Sequence, residues 1–578
     1  MSRAIPFFFE ILRRNRRAIL FFGLVLGVGI FARFFQLSQY FTHTDDLGIF
    51  EIIFSGQSEH NIFLLPRHLT NAPFQYLFTY FLISPALDYQ ELLFWGRLPS
   101  CVAGCLALVV LVFCYWKDDK KSLAKGFFAI ALVACSWDNI AFAKQAHSYA
   151  IGVLAVAILL LCLIRKGAAP FFNLKDAGVT ALVLAFVSHM QYQILFFVPA
   201  FYLALWVAHR KDPETRYAVL RNLALSAVFF LALMLPVWFF FLKEQFSFFS
   251  SRIEWAFGPA REYVLDWNTP RNLLEQAVYA IRFFSGNLFV VFESKIAFIP
   301  ITAPLFPFFS YALFFFFILG WGAFFWSPDR RARSLGVFFG MTLLAWWGMA
   351  AFRHFPFGPS RHTLILLPLF AVTAAEGAWA FSEFVTARVR KKIPRFSASG
   401  MLLGMGVLVL IFFAIHYHEF LEERKNPVNE KEIVKVLEAF GVEEFFYDKR
   451  GFHLEYIRAF RALHEKLMAK QVAEIQTFAF FTRYPAASVF SRCEKYQAAN
   501  RMIELMAKKE AASMPPLRVF RRPCRDFQVV YEKKLESDVS EGFSNKLRSD
   551  ILANRMYFYV LSVDPEKKKI SEQFKKSL

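Results

Sequence analysis

The sequence contains few cysteines and few charged residues for its length. Of 578 residues, 7 are Cys and 19% are Asp, Glu, Lys or Arg, whereas 57% are hydrophobic. With so few charged residues, a protein of this hydrophobic content could not form a polar surface around its hydrophobic residues in water. Five of the cysteines lie in apolar segments without the CxxC spacing of a metal or redox site. The composition excludes an ordinary water-soluble enzyme and predicts a polytopic membrane protein.

Several functional signals are also missing. The sequence shows no glycine-rich phosphate loop, no internal repeat and no cleavage site after the first apolar segment. The formal net charge is +20, but the basic residues gather in short runs between apolar segments, as the positive-inside bias requires. We therefore attribute the basic excess to membrane orientation and expect no nucleic-acid partner.

Eleven apolar segments approach the length of about 20 residues that a membrane-spanning helix needs. They cover residues 18–36, 91–115, 124–142, 147–164, 177–187, 194–208, 218–242, 307–326, 334–352, 361–384 and 400–418. Counting 177–187 and 194–208 as two helices puts every basic loop on one side of the membrane. The prediction is a multi-pass protein of the cytoplasmic (inner) membrane, with the N-terminus inside and the C-terminus outside.

The composition changes to a mixed, charged pattern from about Glu419. We predict a transmembrane domain over 1–418 and an extracytoplasmic soluble α/β domain over 419–578. Strands are expected at 444–449, 527–533 and 556–564, and helices at 429–441 and 498–511. Cys493 and Cys524 would pair in an oxidising compartment, with two buried thiols as the alternative.

Two long outer loops contain candidate interfacial helices. Residues 65–85 include an apolar run interrupted by Pro73 and Pro85, which favours a helix along the membrane surface over a span. In the second loop, Thr269 and Pro270 have the residue types of a helix N-cap and first helical position, before a mixed segment that ends near Phe284.

The first outer loop carries two adjacent carboxylates, Asp45 and Asp46, in the stretch HTDDLGIFE. One of them can cap the helix that follows, but a cap needs only one. A carboxylate beside the membrane can act as a general base toward an acceptor hydroxyl or amine. The second carboxylate can hold the acceptor, raise the pKa of its neighbour or bind a divalent cation. A metal site would need more ligands than this dipeptide, so no metal ligand is assigned.

Two further outer loops carry polar clusters. The first contains Asp138, Lys144, His147 and Tyr149, with Lys144 and His147 spaced to share a helical face. Their functional interpretation is stabilisation of an anionic leaving group, and the alternative is a snorkelling lysine and a helix cap. The second cluster consists of Arg353, His354, Arg361 and His362. Arginine there suits a lipid phosphate, because its planar fork bonds two oxygens at once, or it anchors headgroups.

Five stretches in order resemble the GT-C superfamily of integral-membrane glycosyltransferases, specifically the protein O-mannosyltransferase and aminoarabinose transferase group that uses polyprenyl-phosphate-linked sugars. They read TDDLGIF, NAPFQYLFTYFL, GRLPSCVAGCLALVVL, KQAHSYAIGVL and SRHTLILLPLF. The resemblance covers roughly residues 1–418. Two departures are Asp46, where the group usually has Glu, and His147, where Arg is common. Similar proteins often have an extracytoplasmic C-terminal domain.

The resemblance implies an inverting sugar transfer from a polyprenyl-phosphate donor to a protein, lipid or glycan acceptor at the outer membrane face. Asp45 would deprotonate or orient the acceptor, while Lys144, His147 and Arg361 would neutralise the departing phosphate. The cofactor expectation is none, with a divalent cation as an open alternative. The main competing interpretation is a multi-pass transporter or flippase, although transporters usually show internal repeats and polar groups near helix midpoints.

Overall fold

The structure is a computed structural model, and its description covers most of the membrane-embedded sequence and short parts of the remainder. The described residues are 16–38, 49–50, 53, 73–83, 89–116, 119–167, 173–210, 213–239, 305–351, 361–424, 439–440, 444–447, 477–482, 528–535, 556–562 and 566. The predicted interfacial helix at 269–284 lies outside these residues, as do Cys493 and Cys524 and nearly all of the two helices predicted after residue 428.

The described chain is mostly helical. The helices are α1 (Arg16–Phe34), α2 (Pro73–Leu82), α3 (Tyr89–Tyr115), α4 (Lys120–Ala134), α5 (Trp137–Ala143), α6 (Tyr149–Gly167), α7 (Leu174–Met190), α8 (Val198–His209), α9 (Pro213–Val237), α10 (Leu305–Trp326), α11 (Arg330–Ala351), α12 (Leu367–Val389) and α13 (Ala398–Arg424). Two 3-10 turns, Tyr192–Phe197 and Arg361–Leu366, lead into α8 and α12. Each of the eleven apolar segments is helical over most of its length.

Six helices within the described residues are long and apolar enough to cross a membrane, or seven if the bent pair α4 and α5 forms one span. The chain is accordingly a multi-pass membrane protein. The full set of eleven spans and the orientation of the termini stay predictions. In other helices, such as α1 and α10, the apolar part among the described residues is shorter than the length used for a membrane span.

The sequence predicts one helix over 124–142, but the structure breaks it between Ala134 and Trp137. The axes of α4 and α5 differ by 59°. The side chain of Ser136 accepts a hydrogen bond from the backbone N–H of Asn139, so Ser136 is the N-cap of α5. The serine therefore starts a new helix inside an otherwise apolar run.

The helix ends of the bundle form two groups, which we call the polar end and the opposite end. The polar end contains the last turn of α1, the first turns of α3 and α6, and all of α5. The opposite end contains two ion pairs, Lys125 with Glu376 at 2.5 Å and Lys166 with Asp176.

Helices α10 and α12 cross in close contact at a pair of glycines. A methyl group built on Gly320 would overlap the backbone oxygen of Thr373, and one built on Gly377 would overlap that of Phe316. Small residues at such crossings let two helix backbones approach, which is a common way to pack helices in membranes.

The later part of the chain contains a four-stranded sheet. Its strands are β1 (Glu444–Tyr447), β2 (Thr477–Thr482), β3 (Gln528–Leu535) and β4 (Met556–Ser562), in the order β1-β2-β4-β3. β1 and β2 pair in parallel, and β4 pairs antiparallel with β2 and β3. Three of these strands lie where the sequence predicts them, and β2 is additional. That this region is a soluble α/β domain stays a prediction.

The chain divides into two compact units. The first comprises Met1–Ser38 and Ser55–Phe420, and the second comprises Gln39–Phe54 and Leu421–Leu578. The segment that carries Asp45 and Asp46 thus belongs to the second unit. The predicted domains, 1–418 and 419–578, assign that segment to the membrane domain instead, and their independence as folded domains stays a prediction.

Candidate functional site

Three side chains donate hydrogen bonds to backbone oxygens where α1 ends. Tyr417 Oη bonds the oxygen of Ala32 at 3.0 Å. Lys144 Nζ bonds the oxygen of Phe35 at 2.7 Å, and Arg97 Nη1 bonds that of Leu37 at 2.8 Å. The last carbonyls of a helix have no partner within the helix, so donors from other helices satisfy them here. These three hydrogen bonds hold the backbone between Ala32 and Leu37 against other helices.

Lys144 is a fully buried lysine at this site. It follows α5 as its C-cap and is 0% exposed. Its Nζ also lies 6.0 Å from the centre of the Tyr417 ring, close enough for a weak cation–π contact. Burial lowers the pKa of Lys144 to about 7, and the nearby guanidinium groups of Arg97 and Arg33 act in the same direction. An anion arriving here would favour the protonated amine.

The loop that follows Lys144 is not helical. The residues between Ala143 and Tyr149 form turns, and the backbone N–H of His147 donates to the oxygen of Gln145 at 2.7 Å. The prediction that Lys144 and His147 share a helical face is therefore wrong, because α5 has ended before His147 and α6 has not begun. The sequence spacing alone gave no sign of this interruption.

A buried polar network holds the loop against α2 and α3. Ser100 Oγ donates to the backbone oxygen of His147 at 2.7 Å and lies 3.2 Å from Gln75 Oε1. Gln75 Nε2 in turn donates to Thr79 Oγ1 at 3.1 Å. Buried polar groups within a membrane persist when they are bonded to each other. This network fixes the backbone of His147 relative to two other helices.

His147 and Tyr149 stack on each other. Their ring centres are 4.0 Å apart and the ring planes differ by 7°. Phe142 packs edge-on against Tyr149, with ring centres 5.1 Å apart. His147 and Tyr149 are buried. The stacking sets the plane of the imidazole and holds it in place at the start of α6.

The turn Arg361–Leu366 packs against the first turn of α6. A methyl group built on Gly152 would lie 2.5 Å from Ile365 Cγ2 and 3.3 Å from Gln191 Cγ. Ser148 Oγ donates to Gln191 Oε1 at 3.3 Å, which joins the end of α7 to the same place. The turn that carries Arg361 and His362 thus packs against α5 and α6, which the loop 144–148 connects. The side chains of Arg361 and His362 lie outside the described part.

Of the remaining predicted site residues, the structure describes only Asp138. Asp138 lies half-buried in the first turn of α5. Asp45, Asp46, Arg353 and His354 lie outside the described residues. In the part of the chain that the structure describes, no group of three or more His, Cys, Asp or Glu side chains could hold a metal ion. Of the predicted site residues, the structure describes the side chains of Asp138, Lys144, His147 and Tyr149, and that they act together in a site stays a prediction.

Sequence reasoning missed several polar residues of this end of the bundle. Arg33 and Arg97 are both 0% exposed although they are cations. An ionisable residue next to or inside an apolar segment is a signal for a functional or structural site, and it could have marked both. Gln75, Ser100 and Gln191 gave no such signal, because single amides and hydroxyls are common in membrane helices and their partners come from distant segments.

No protein-family model matches the sequence, and no curated protein matches it. Structural comparison finds ArnT from Cupriavidus metallidurans bound to undecaprenyl phosphate, with a TM-score of 0.47 and 11% identity over 96% of this chain and 99% of that one. It also finds the oligosaccharyltransferase AglB from Archaeoglobus fulgidus in complex with an inhibitory peptide and a dolichol-phosphate, with a TM-score of 0.41 and 11% identity over 80% and 69%.

A second structure of the Archaeoglobus fulgidus oligosaccharyltransferase, in complex with Zn and sulfate, matches with a TM-score of 0.40 and 11% identity over 77% of this chain and 61% of that one. All three TM-scores are below 0.5.

Proposed function

We propose that the chain transfers a sugar, with inversion, from a polyprenyl-phosphate-linked donor to an acceptor at the outer face of the cytoplasmic membrane. The observation that most supports this proposal is that the turn Arg361–Leu366 packs against α5 and α6, the two helices that the loop 144–148 connects. The motif resemblance assigns Lys144, His147 and Arg361, which lie in these two segments, to the phosphate of the donor. The loop that carries Asp45 follows α1 in the sequence.

In the proposed reaction, Asp45 takes the proton from the acceptor hydroxyl or amine. The acceptor then attacks the anomeric carbon from the side opposite to the phosphate, which inverts that carbon. The bond between the anomeric carbon and the phosphate oxygen breaks, and the polyprenyl phosphate leaves with the bonding electrons. Asp46 orients the acceptor. A base positioned at the attacking group contributes about 10²- to 10⁴-fold to such a rate.

Lys144, His147 and Arg361 would neutralise the departing phosphate, with His362, Arg353 and His354 at the edge of the same site. Preorganised cations in a partly dry site stabilise developing charge more strongly than they would in water. The burial of Lys144 fits this role, because the amine is held by Phe35 before the phosphate arrives. Tyr149 holds the imidazole of His147 by stacking, and Asp138 lies at the start of the short helix that ends at Lys144.

Gln145 adds a candidate for sugar recognition. Its side chain is 2% exposed, and its Oε1 has no hydrogen-bond partner among the described residues. A buried carbonyl oxygen without a partner is costly, so it is a natural acceptor for a substrate hydroxyl. We assign Gln145 to the sugar head of the donor.

The experiment that tests the proposal supplies membranes containing the chain with a panel of radiolabelled polyprenyl-phosphate sugars. We expect label from at least one donor to appear in a product whose anomeric configuration is opposite to that of the donor. Membranes without the chain are the control. Label that crosses the bilayer while still attached to its lipid would contradict the proposal and favour a flippase.

A further inference from the structure

The break between α4 and α5 leaves backbone oxygens that need donors. In a continuous helix, the oxygens of Val133 and Ala134 would accept from residues four positions later, but α4 ends at Ala134 and α5 begins at Trp137. In a membrane, water does not replace the missing bonds, and each unsatisfied group costs several kcal/mol. Side chains must therefore supply the donors. One of them is Asn139 of α5, whose Nδ2 bonds the oxygen of Val133 at 3.1 Å.

Arg33 of α1 supplies most of these donors. Its Nη2 bonds the oxygen of Val133 at 3.2 Å, and its Nη1 bonds that of Ala134 at 3.2 Å. Nη1 also bonds the oxygen of Gly29 at 2.8 Å. A planar guanidinium can reach two neighbouring carbonyls at once, and its positive charge is favourable at the C-terminal end of a helix. Lysine offers the charge but not the fork.

Two glycines make room for the guanidinium. A methyl group built on Gly104 would lie 3.0 Å from Arg33 Nε and 3.1 Å from Ala143 Cβ. One built on Gly29 would lie 2.5 Å from Leu108 Cδ1 and 3.4 Å from Arg33 Nη1. The first of these contacts shows that Arg33 and the last residue of α5 lie against the same small residue of α3.

The contacts form a closed loop of interactions. Arg33 bonds α1 to the end of α4, and α5 then covers the seven residues from Trp137 to Ala143. Lys144, the next residue, bonds the backbone oxygen of Phe35, which directly follows α1. Arg33 and Phe35 are two residues apart. The position of the Lys144 amine therefore depends on the geometry of the break that Arg33 bridges.

We infer that Arg33 is a positioning residue that holds the broken helix in the orientation that places Lys144 at the end of α1. It acts through Lys144 and touches no substrate, since it is fully buried and its two terminal nitrogens bond three backbone oxygens. The consequence for catalysis rests on the proposed transfer reaction, but the structural role does not.

The test measures how readily Lys144 is acetylated in the purified full-length chain in detergent, with Lys125 at the opposite end as the internal reference. Peptide mass spectrometry follows both lysines after a pulse of an amine-reactive acetylating reagent. In Arg33→Lys, we expect Lys144 acetylation to rise at least about tenfold because α5 opens locally, while Lys125 stays within about twofold of the parent. A melting curve confirms that the variant is folded.

Gly104→Ala provides a second variant for the case that Arg33→Lys does not fold. It keeps the guanidinium but narrows its space, and we expect a smaller rise at Lys144 alone. Gly27→Ala is its matched control, because a methyl group there meets nothing within 4 Å. An equal rise at both lysines, or no rise at Lys144 in either variant, would overturn the inference. Because acetylation needs no donor, its result is distinguishable from a failure of the proposed transfer.

Discussion

The amine of Lys144 donates a hydrogen bond to the backbone oxygen of Phe35 across 2.7 Å, although the two residues are 109 positions apart. The bond joins the end of α5 to the end of α1. It also holds a buried amine in the loop that the motif resemblance assigns to the donor phosphate. In the proposed reaction, the same amine would meet the phosphate of the donor.

The first prediction concerns pH. The pKa of Lys144 falls from 10.5 to about 7 in the folded chain because of burial. Between these values the unfolded chain binds a proton that the folded chain does not, so folding costs more free energy as the pH falls from 10.5 toward 7. The free energy of unfolding should therefore rise with pH in this window, by at most about 1.4 kcal/mol per unit.

Lys144→Met should remove this part of the pH dependence. The measurement is unfolding in detergent at pH 7, 8 and 9 for the parent and the variant. Lys175→Met serves as the control, since Lys175 is exposed on α7. Parallel curves for the parent and Lys144→Met would show that Lys144 does not titrate in the expected range.

The second prediction concerns the contact between α6 and the turn Arg361–Leu366. Gly152→Ala places a methyl group 2.5 Å from Ile365 Cγ2, so the turn Arg361–Leu366 must shift away from α6. We expect sugar transfer to fall by at least about tenfold, because small displacements at a reacting site are costly. Gly178→Ala on α7, which meets nothing within 4 Å, should leave transfer unchanged. Full activity in Gly152→Ala would mean that sugar transfer does not depend on the packing of the turn Arg361–Leu366 against α6.

The third prediction concerns stability at the crossing of α10 and α12. Gly377→Ala forces a methyl group into the backbone oxygen of Phe316, and neither backbone can move without the other. We expect a loss of about 1–3 kcal/mol or more in unfolding free energy, as for other overpacked sites. Gly404→Ala on α13 has open space and should be neutral. Equal melting temperatures for the two variants would contradict the crossing.

The fourth prediction concerns orientation. A single cysteine introduced at Lys431, in a chain whose native cysteines are replaced, should react with a membrane-impermeant thiol reagent added from outside intact cells. The reason is the distribution of basic loops, which puts the C-terminus outside. Labelling only after the cells are opened would invert the predicted topology.

The sequence alone predicted much of the helical layout. Long apolar runs mark α3, α6 and α12 because a membrane imposes both length and apolarity. The break at Ser136 was not predictable in this way, since Ser136 to Asn139 form a short polar interruption in an apolar run. Whether such an interruption ends a helix depends on partners such as Arg33, 100 residues earlier in the chain.

The candidate site was predictable in its loops but not in its contacts. The residues Lys144, His147 and Tyr149 stood out because polar groups cluster at one helix end. That Lys144 would bond Phe35, or that Ser100 would bond the backbone of His147, follows from tertiary packing between segments that no local pattern connects. Arg33 escaped notice because a single arginine near the end of an apolar run resembles an ordinary interfacial anchor.

The most direct measurement compares the parent chain with Asp45→Asn in the transfer assay, using the donor that gives most product with the parent. Asp329→Asn, which changes an exposed carboxylate at the opposite end, is the matched control. The account predicts that Asp45→Asn loses at least about 10²-fold in rate while Asp329→Asn is unchanged, because only Asp45 takes the acceptor's proton. Transfer by Asp45→Asn at the parental rate would contradict it.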